Sequence, residues 1–184
     1  MSDARERVRQ HLLAHSVRRG DFTLKSGRQS SWFIDSKQTI GAPEVMVDLA
    51  DLVLERIPGD VTALGGLTMG ADGVTFITAG VAATRNRPLR AFSVRKQEKD
   101  HGAGGRIAGT LREGDRVVIT EDTVTRGLSL IEAAGVVREF GAEVVLLLAI
   151  VDRGGTARAM AAEQGWVFDA LFSAPDLGFA YEGA

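Results

Sequence analysis

From Val61 onward, short apolar runs and helix-length segments take turns along the chain. "VTALGGL" (61–67) predicts a strand ending in glycines, Ala71 to Asn86 a helix, and "LRAFSV" (89–94) a strand. A polar, glycine-rich stretch from Arg95 to Gly109 intervenes. After it "RVVIT" (116–120) predicts a strand, Leu128 to Phe140 a helix and Val144 to Val151 a strand; "TARAMAAEQG" (156–165) is a helix and "WVFDALF" (166–172) a last strand. Strand, helix, strand in repetition predicts an α/β fold with a mostly parallel sheet flanked by helices, because parallel neighbours need a long crossover. Ahead of this run, Ala4 to about Arg19 is a polar helix stopped by Gly20. "DFTLKSGRQSSWFID" (21–35) is an extended hairpin or loop, and Pro43 opens a helix with Val45, Leu49, Leu52 and Val53 at helical spacing. The length of 184 residues suits one domain. The expected division is an N-terminal segment over about 1–40 ahead of an α/β core over about 41–184.

Composition narrows the function classes. The net charge of −2 offers no basic excess to displace counterions, so bulk nucleic-acid binding is not expected. There is no cysteine, which excludes disulfides and thiolate metal sites and is in keeping with a reducing, cytoplasmic setting. The longest apolar run, "VVLLLAIV" (144–151), has strand length and falls well short of the roughly 18 residues of a membrane span, so no membrane partner is expected. "MSDARERVRQ" lacks the apolar core of a signal peptide. His11 and His15 stand four apart on the predicted first helix without an evident third ligand, and a solvated pair is the expectation.

The segment "VVITEDTVTRGLSL" (117–130) carries the chemistry. Glu121 and Asp122 follow an apolar run, at the carboxyl end of a strand, where sheets of this kind bind ligands. The turn behind them contains Thr123, Thr125, Gly127 and Ser129 and leads into a helix. Backbone N–H groups, hydroxyls and the positive end of the helix dipole together make a site for one phosphate group. Two carboxylates beside a phosphate repel it unless they grip something attached to it. Adjacent sugar hydroxyls are suitable donors, so the inferred ligand is a ribose 5-phosphate. A second stretch, "SVRKQEKDHGAGGRIAG" (93–109), gathers Arg95, Lys96, Lys99 and His101 ahead of Gly102, Gly104 and Gly105. That is a cationic loop suited to closing over a polyanion.

The acid pair and its threonine- and glycine-rich turn resemble the phosphoribosyl pyrophosphate signature of type I phosphoribosyltransferases. Arg126 and Leu128 stand where that family often has small residues. The pattern R-K-x-x-K-x-H-G over 95–102 is similar to the catalytic loop of orotate phosphoribosyltransferases. "FTLKSGRQSSWFID" and "VDRGG" resemble two further motifs of that family, and the likeness runs from about Gly20 to Arg153. The resemblance implies the type I phosphoribosyltransferase fold and transfer of a phosphoribosyl group to orotate. It implies catalytic roles for Lys99, His101 and Asp122. It also implies that Arg95, Lys96, Lys99, His101, Glu121, Asp122, Thr123, Val124, Thr125, Arg126, Gly127, Leu128 and Ser129 hold phosphoribosyl pyrophosphate. Lys25, Phe33, Ile34, Thr125 and Arg153 would meet orotate. Mg2+ would ride mainly on the substrate, with Glu121 and Asp122 reaching it through water. A homodimer sharing the 95–109 loop is expected. Many members carry a tyrosine–lysine pair after the strand near residue 65, where this chain has Met69 and Gly70. A purine-specific relative is disfavoured by the R-K-x-x-K-x-H-G loop. A metabolite sensor without catalysis is disfavoured by the joint presence of Lys99, His101, Glu121 and Asp122.

Overall fold

A computed structural model describes residues 3–23, 29–98 and 105–183. The elements run α1 (Asp3–His11), a π-helical turn (Leu12–Ser16), β1 (Val17–Thr23), β2 (Gln29–Ile34), α2 (Lys37–Ile40), α3 (Met46–Arg56), β3 (Ala63–Leu67), α4 (Gly70–Thr84), β4 (Arg90–Val94), β5 (Ile107–Gly109), β6 (Arg116–Val124), α5 (Leu128–Glu139), β7 (Glu143–Asp152), α6 (Ala157–Glu163) and β8 (Phe168–Ser173). A 3₁₀ turn at Pro175–Leu177 precedes the C-terminal tail. The central sheet has the order β5-β4-β3-β6-β7-β8, parallel throughout except for β5, and β1 and β2 form a separate antiparallel ribbon.

Alternation along the central strands splits the core in two, because successive side chains leave a strand on opposite faces. Leu64, Val118, Leu148 and Ile150 pack with Val8, Leu49, Val53 and Val74 on one face. Ala63, Val117, Ile119, Leu147 and Ala149 pack with Leu130, Ala133, Val137 and Ala161 on the other. Helices therefore cover both faces, and each strand has to be apolar at nearly every position.

Chain direction reverses its progress across the sheet between β3 and β6. The connections from β3 lead outward to β4, whereas those from β6 lead to β7 and β8. At such a switch point adjacent crossovers diverge and leave a crevice beyond the strand ends. The β3–β6 pairing stops at Gly65 opposite Ile119, and β6 continues past it, paired with β7 as far as Val124. Glycine permits the tight packing here. A Cβ on Gly66 would lie 2.2 Å from the Thr120 carbonyl oxygen and 2.6 Å from the Ala71 Cβ. One on Gly65 would lie 2.5 Å from the Phe92 carbonyl oxygen.

Several sequence expectations shift. The first helix does not reach Arg19: the chain turns extended at Val17, and Gly20 lies within β1. Pairing of Val17 with Ile34 and of Arg19 with Trp32 satisfies backbone groups that a marginal, mixed-charge helix would otherwise hold. The third helix begins at Met46, three residues after Pro43, and α2 was not anticipated. The predicted 95–109 loop contains β5, which adds to β4 in antiparallel fashion. The strand predicted to end at Thr120 extends to Val124, so Glu121 and Asp122 are strand residues beyond the reach of β3.

The glycine packing yields a paired prediction. Gly66→Ala forces a methyl group against a fixed carbonyl and should destabilise the protein by about 2 kcal/mol or more. Gly80→Ala, in an exposed position of α4 where a Cβ meets nothing within 4 Å, should stabilise it by about 0.5–1 kcal/mol. Urea melts of the two variants beside the wild type check both signs.

Candidate active site

The crevice at the switch point is lined first by the acid pair. Glu121 and Asp122 are buried, at 5% and 8% exposure. Such burial is costly unless each carboxylate is partnered or protonated. Asp122 is partnered: Lys37, from α2, donates to its Oδ2, and the Thr123 backbone N–H donates to its Oδ1 at 2.7 Å. Lys37 has its own pKa raised by that pairing against an opposing burial effect. Glu121 accepts the Asp122 backbone N–H at 3.1 Å. Burial, then the charge of Asp122, pushes the Glu121 carboxyl up to about 8, so it is largely protonated at neutral pH.

Opposite the acids stands the connection from β3 to α4. Gly70, the first residue of α4, has no side chain, and Glu121 takes the space: a Cβ there would lie 2.0 Å from Glu121 Oε1 and 3.0 Å from Asp122 Oδ1. The exchange of a lysine for Gly70 thus leaves room that the acid pair itself occupies. Thr68 and Ser93 each donate to Asp72 at 2.7 Å, tying this connection to β4. Met69 is 71% exposed and fills no part of the core.

Behind the acids the chain makes its turn at Thr125–Gly127 and enters α5. Gly127 is the N-cap with φ 80°, a left-handed conformation that favours glycine, and its carbonyl accepts the Ile131 N–H at 3.0 Å. The N–H groups of the first helical turn have no intrahelical acceptors, and α5 begins four residues after the end of β6. Thr123 and Val124 still belong to β6, so the phosphate-sized turn is shorter than the sequence suggests. Val124 is buried, whereas Arg126 and Leu128 are exposed, so the two bulky departures lie outward and leave the backbone turn intact. Ser36 and Thr123 share a hydroxyl hydrogen bond of 3.0 Å, which links α2 to the same turn.

A third segment, Asp152–Thr156, packs directly on this turn. Arg153 N–H donates to the Val124 carbonyl at 2.8 Å, and the Thr156 hydroxyl donates to the Thr125 carbonyl at 3.2 Å. A Cβ on Gly154 would lie 1.9 Å from the Thr125 oxygen, so only glycine allows the approach. Arg153 and Thr125 are neighbours for this reason. The ribbon supplies Phe33, and its alternation separates that residue from Ile34. Phe33 is 39% exposed, beside Phe22 with ring centroids 5.8 Å apart, whereas the Ile34 side chain is buried in the core. Ile34 can therefore face a ligand only with its main chain.

The cationic loop is anchored at its base. The Arg95 N–H donates to the Arg106 carbonyl and the Arg106 guanidinium to the Arg95 carbonyl, both at 2.7 Å. Lys96 is exposed. Lys25, Lys99 and His101 lie outside the described residues. Among the described residues no group of His, Cys, Asp and Glu side chains is clustered to hold a metal ion by itself, and no helix is long and apolar enough to cross a membrane. Sequence reasoning did not single out Lys37; a lysine on a one-turn helix carries no local signal of the acid it meets.

No family model matches the chain. Curated relatives do: it is 39% identical over 180 residues to an orotate phosphoribosyltransferase of Rhodopseudomonas palustris (strain BisB18), covering 95% of this chain and 96% of that protein. It is 34% identical over 183 residues to one of Nostoc sp., covering 99% and 89%. Among solved structures, the orotate phosphoribosyltransferase of Mycobacterium tuberculosis H37Rv in complex with 5-phospho-α-D-ribosyl 1-diphosphate superposes with a TM-score of 0.79 at 30% identity, covering 96% of this chain and 99% of that one. An adenine phosphoribosyltransferase from Leishmania donovani, at 16% identity and a TM-score of 0.65, shares the fold alone.

The raised Glu121 pKa has a consequence for the unliganded protein. Its native carboxyl holds a proton more tightly than the unfolded one, so its contribution to stability is full below the ordinary value of 4.5 and is lost as pH rises through about 8. Thermal melts across that range should show a shallower decline for Glu121→Gln than for the wild type.

Proposed function

The chain belongs to the orotate phosphoribosyltransferase family, and on that premise we propose how its own residues carry out the transfer. The reaction joins a ring nitrogen of orotate to C1 of the phosphorylated ribose, giving orotidine 5'-monophosphate and pyrophosphate, a step of pyrimidine biosynthesis. One observation carries the assignment of roles: a buried acid pair and a helix-capped phosphate-sized turn adjoin each other at the switch point of the sheet.

The 5-phosphate sits on the N–H groups and hydroxyls from Thr125 to Ser129, where the α5 dipole favours an anion. The ribose hydroxyls donate to Asp122 and Glu121. Leaving-group departure runs ahead of bond formation at C1, so the sugar gains positive charge while pyrophosphate gains negative charge. The work of the protein is then placement and charge stabilisation. The acids lie on the side where the sugar becomes cationic. Lys99 and His101, with Lys96 and Arg95 nearer the loop base, stand over the pyrophosphate. Mg2+ would ride on the pyrophosphate and supply charge neutralisation there, and Asp122 and Glu121 are the residues that would hold it, through water. Positive charge that builds on the sugar as pyrophosphate departs offsets the carboxylate repulsion and favours the ionised form of Glu121. Arg153, Phe33 and Lys25 border the orotate, with Thr125 between base and phosphate. The molecule acts in the cytoplasm as a homodimer whose 95–109 loops reach the partner's site. Residues 1–40 act as the hood over the α/β core.

Loss of the orotate absorbance band, dependent on phosphoribosyl pyrophosphate and Mg2+, tests the reaction. Asp122→Asn should slow it about 10²–10³-fold, the usual cost of one charge-stabilising contact, and Lys99→Ala comparably. Unchanged absorbance alongside calorimetric binding of the ribosyl donor would sink the orotate assignment. Loop sharing has its own check. With Arg95 and Lys96 serving their own subunit's site and Lys99 and His101 the partner's, mixed dimers of Arg95→Ala and Lys99→Ala chains should regain activity that neither homodimer has, and confirmed heterodimers without activity would refute that division of the loop.

A further inference from the structure

The C-terminal tail, whose sequence carries no recognisable chemistry, ends on the arginine assigned to the base. The Glu182 backbone N–H donates to the Arg153 carbonyl at 3.0 Å, and Glu182 Oε2 lies 2.5 Å from the Arg153 NH2 group. Glu182 Oε1 accepts from the Ser30 hydroxyl on β2. The same Arg153 NH2 donates to Ser30 Oγ at 2.8 Å and to the Trp32 carbonyl at 2.7 Å. Trp32 lies 4.8 Å from the Arg153 guanidinium carbon and stacks on Phe179 of the tail, with ring centroids 4.3 Å apart and planes within 10°. Tyr181 fills the space beside Gly155, where a Cβ would lie 2.8 Å from its ring.

We propose that Glu182 is a positioning residue of the orotate site, acting through Arg153. This rests on the reading that Arg153 meets orotate. Arg153 is 6% exposed, and a guanidinium buried to that degree needs a counter-charge that stays with it. Burial lowers its pKa and the Glu182 carboxylate opposes that effect. The contact falls on NH2, the nitrogen already committed to Ser30 and Trp32, so Glu182 completes an anchor and leaves the rest of the fork to the ligand. Arg153 Nε is buried and without a hydrogen bond among the described residues, so the anchor rests on NH2 alone. A planar donor set held at one end is aimed at the other, which is how a supporting contact sharpens recognition of a planar base.

Steady-state kinetics on the full chain test this. Glu182→Ala should raise the orotate KM about 10-fold while the KM for phosphoribosyl pyrophosphate stays within about twofold, because only the base contact loses its aim. Glu182→Gln, which keeps an acceptor for Ser30 and removes the charge, should fall between Glu182→Ala and wild type, and serves if Glu182→Ala does not fold. Arg153→Ala should raise the orotate KM at least as far, and adding Glu182→Ala to it should do nothing more. An orotate KM unchanged in Glu182→Ala, with Arg153→Ala impaired, overturns the proposal alone. A lowered orotate KM also overturns it, because the tail would then compete with substrate for the arginine. An unchanged orotate KM in Arg153→Ala overturns the base assignment and the proposal with it.

Discussion

Keeping two adjacent carboxylates at the end of a buried strand dictates much of what surrounds them. Neither Glu121 nor Asp122 has water as its main solvent, so the chain supplies substitutes. Lys37 and a backbone N–H serve Asp122, and a proton serves Glu121. Those substitutes are temporary by nature. An ammonium on a flexible stem and a proton with a pKa near 8 are both partners that can be exchanged.

The acids can stand there because backbone comes unusually close on either side. Gly66 lets the Thr120 carbonyl approach, Gly70 leaves room for the Glu121 carboxylate, and Gly154 lets the loop after β7 press on Thr125. These three contacts bring the ends of β3, β6 and β7 to one point. The acid pair, the turn into α5 and Arg153 are consequently neighbours, although more than thirty positions separate Glu121 from Arg153 along the chain. β2 and α2 are fastened to the same point from the other side, through Lys37 to Asp122, Ser36 to Thr123 and Ser30 to Arg153. The β1–β2 ribbon and the turn into α5 therefore hold a set relation to each other.

The α/β class, the parallel central strands and the location of the acid pair were legible because each depends on local pattern: apolar runs of strand length, helix-spaced segments between them, and polar groups at a strand end. Elements that depend on a partner were not. Val17 to Arg19 reads as helix until β2 offers it hydrogen bonds, and Ile107 to Gly109 reads as loop until β4 does. Phe33 and Ile34 look equivalent in sequence, and the pleat of β2 sends one outward and the other into the core. Lys37 and Glu182 carry no local signal, since each matters only for the charge it meets across 85 and 29 positions respectively.

What the sequence by itself determined is the inventory: the alternating elements, the acids followed by a hydroxyl–glycine turn, the cationic 95–102 pattern, and through their resemblance the family. Periodicity and short motifs are properties of neighbouring residues, so they can be read without a fold. Only the tertiary structure decided which groups are buried, which carboxylate keeps its proton, and which distant charge holds each site residue in place. Those outcomes depend on desolvation and on contacts between remote segments, and no stretch of chain contains either until the sheet has brought its ends together.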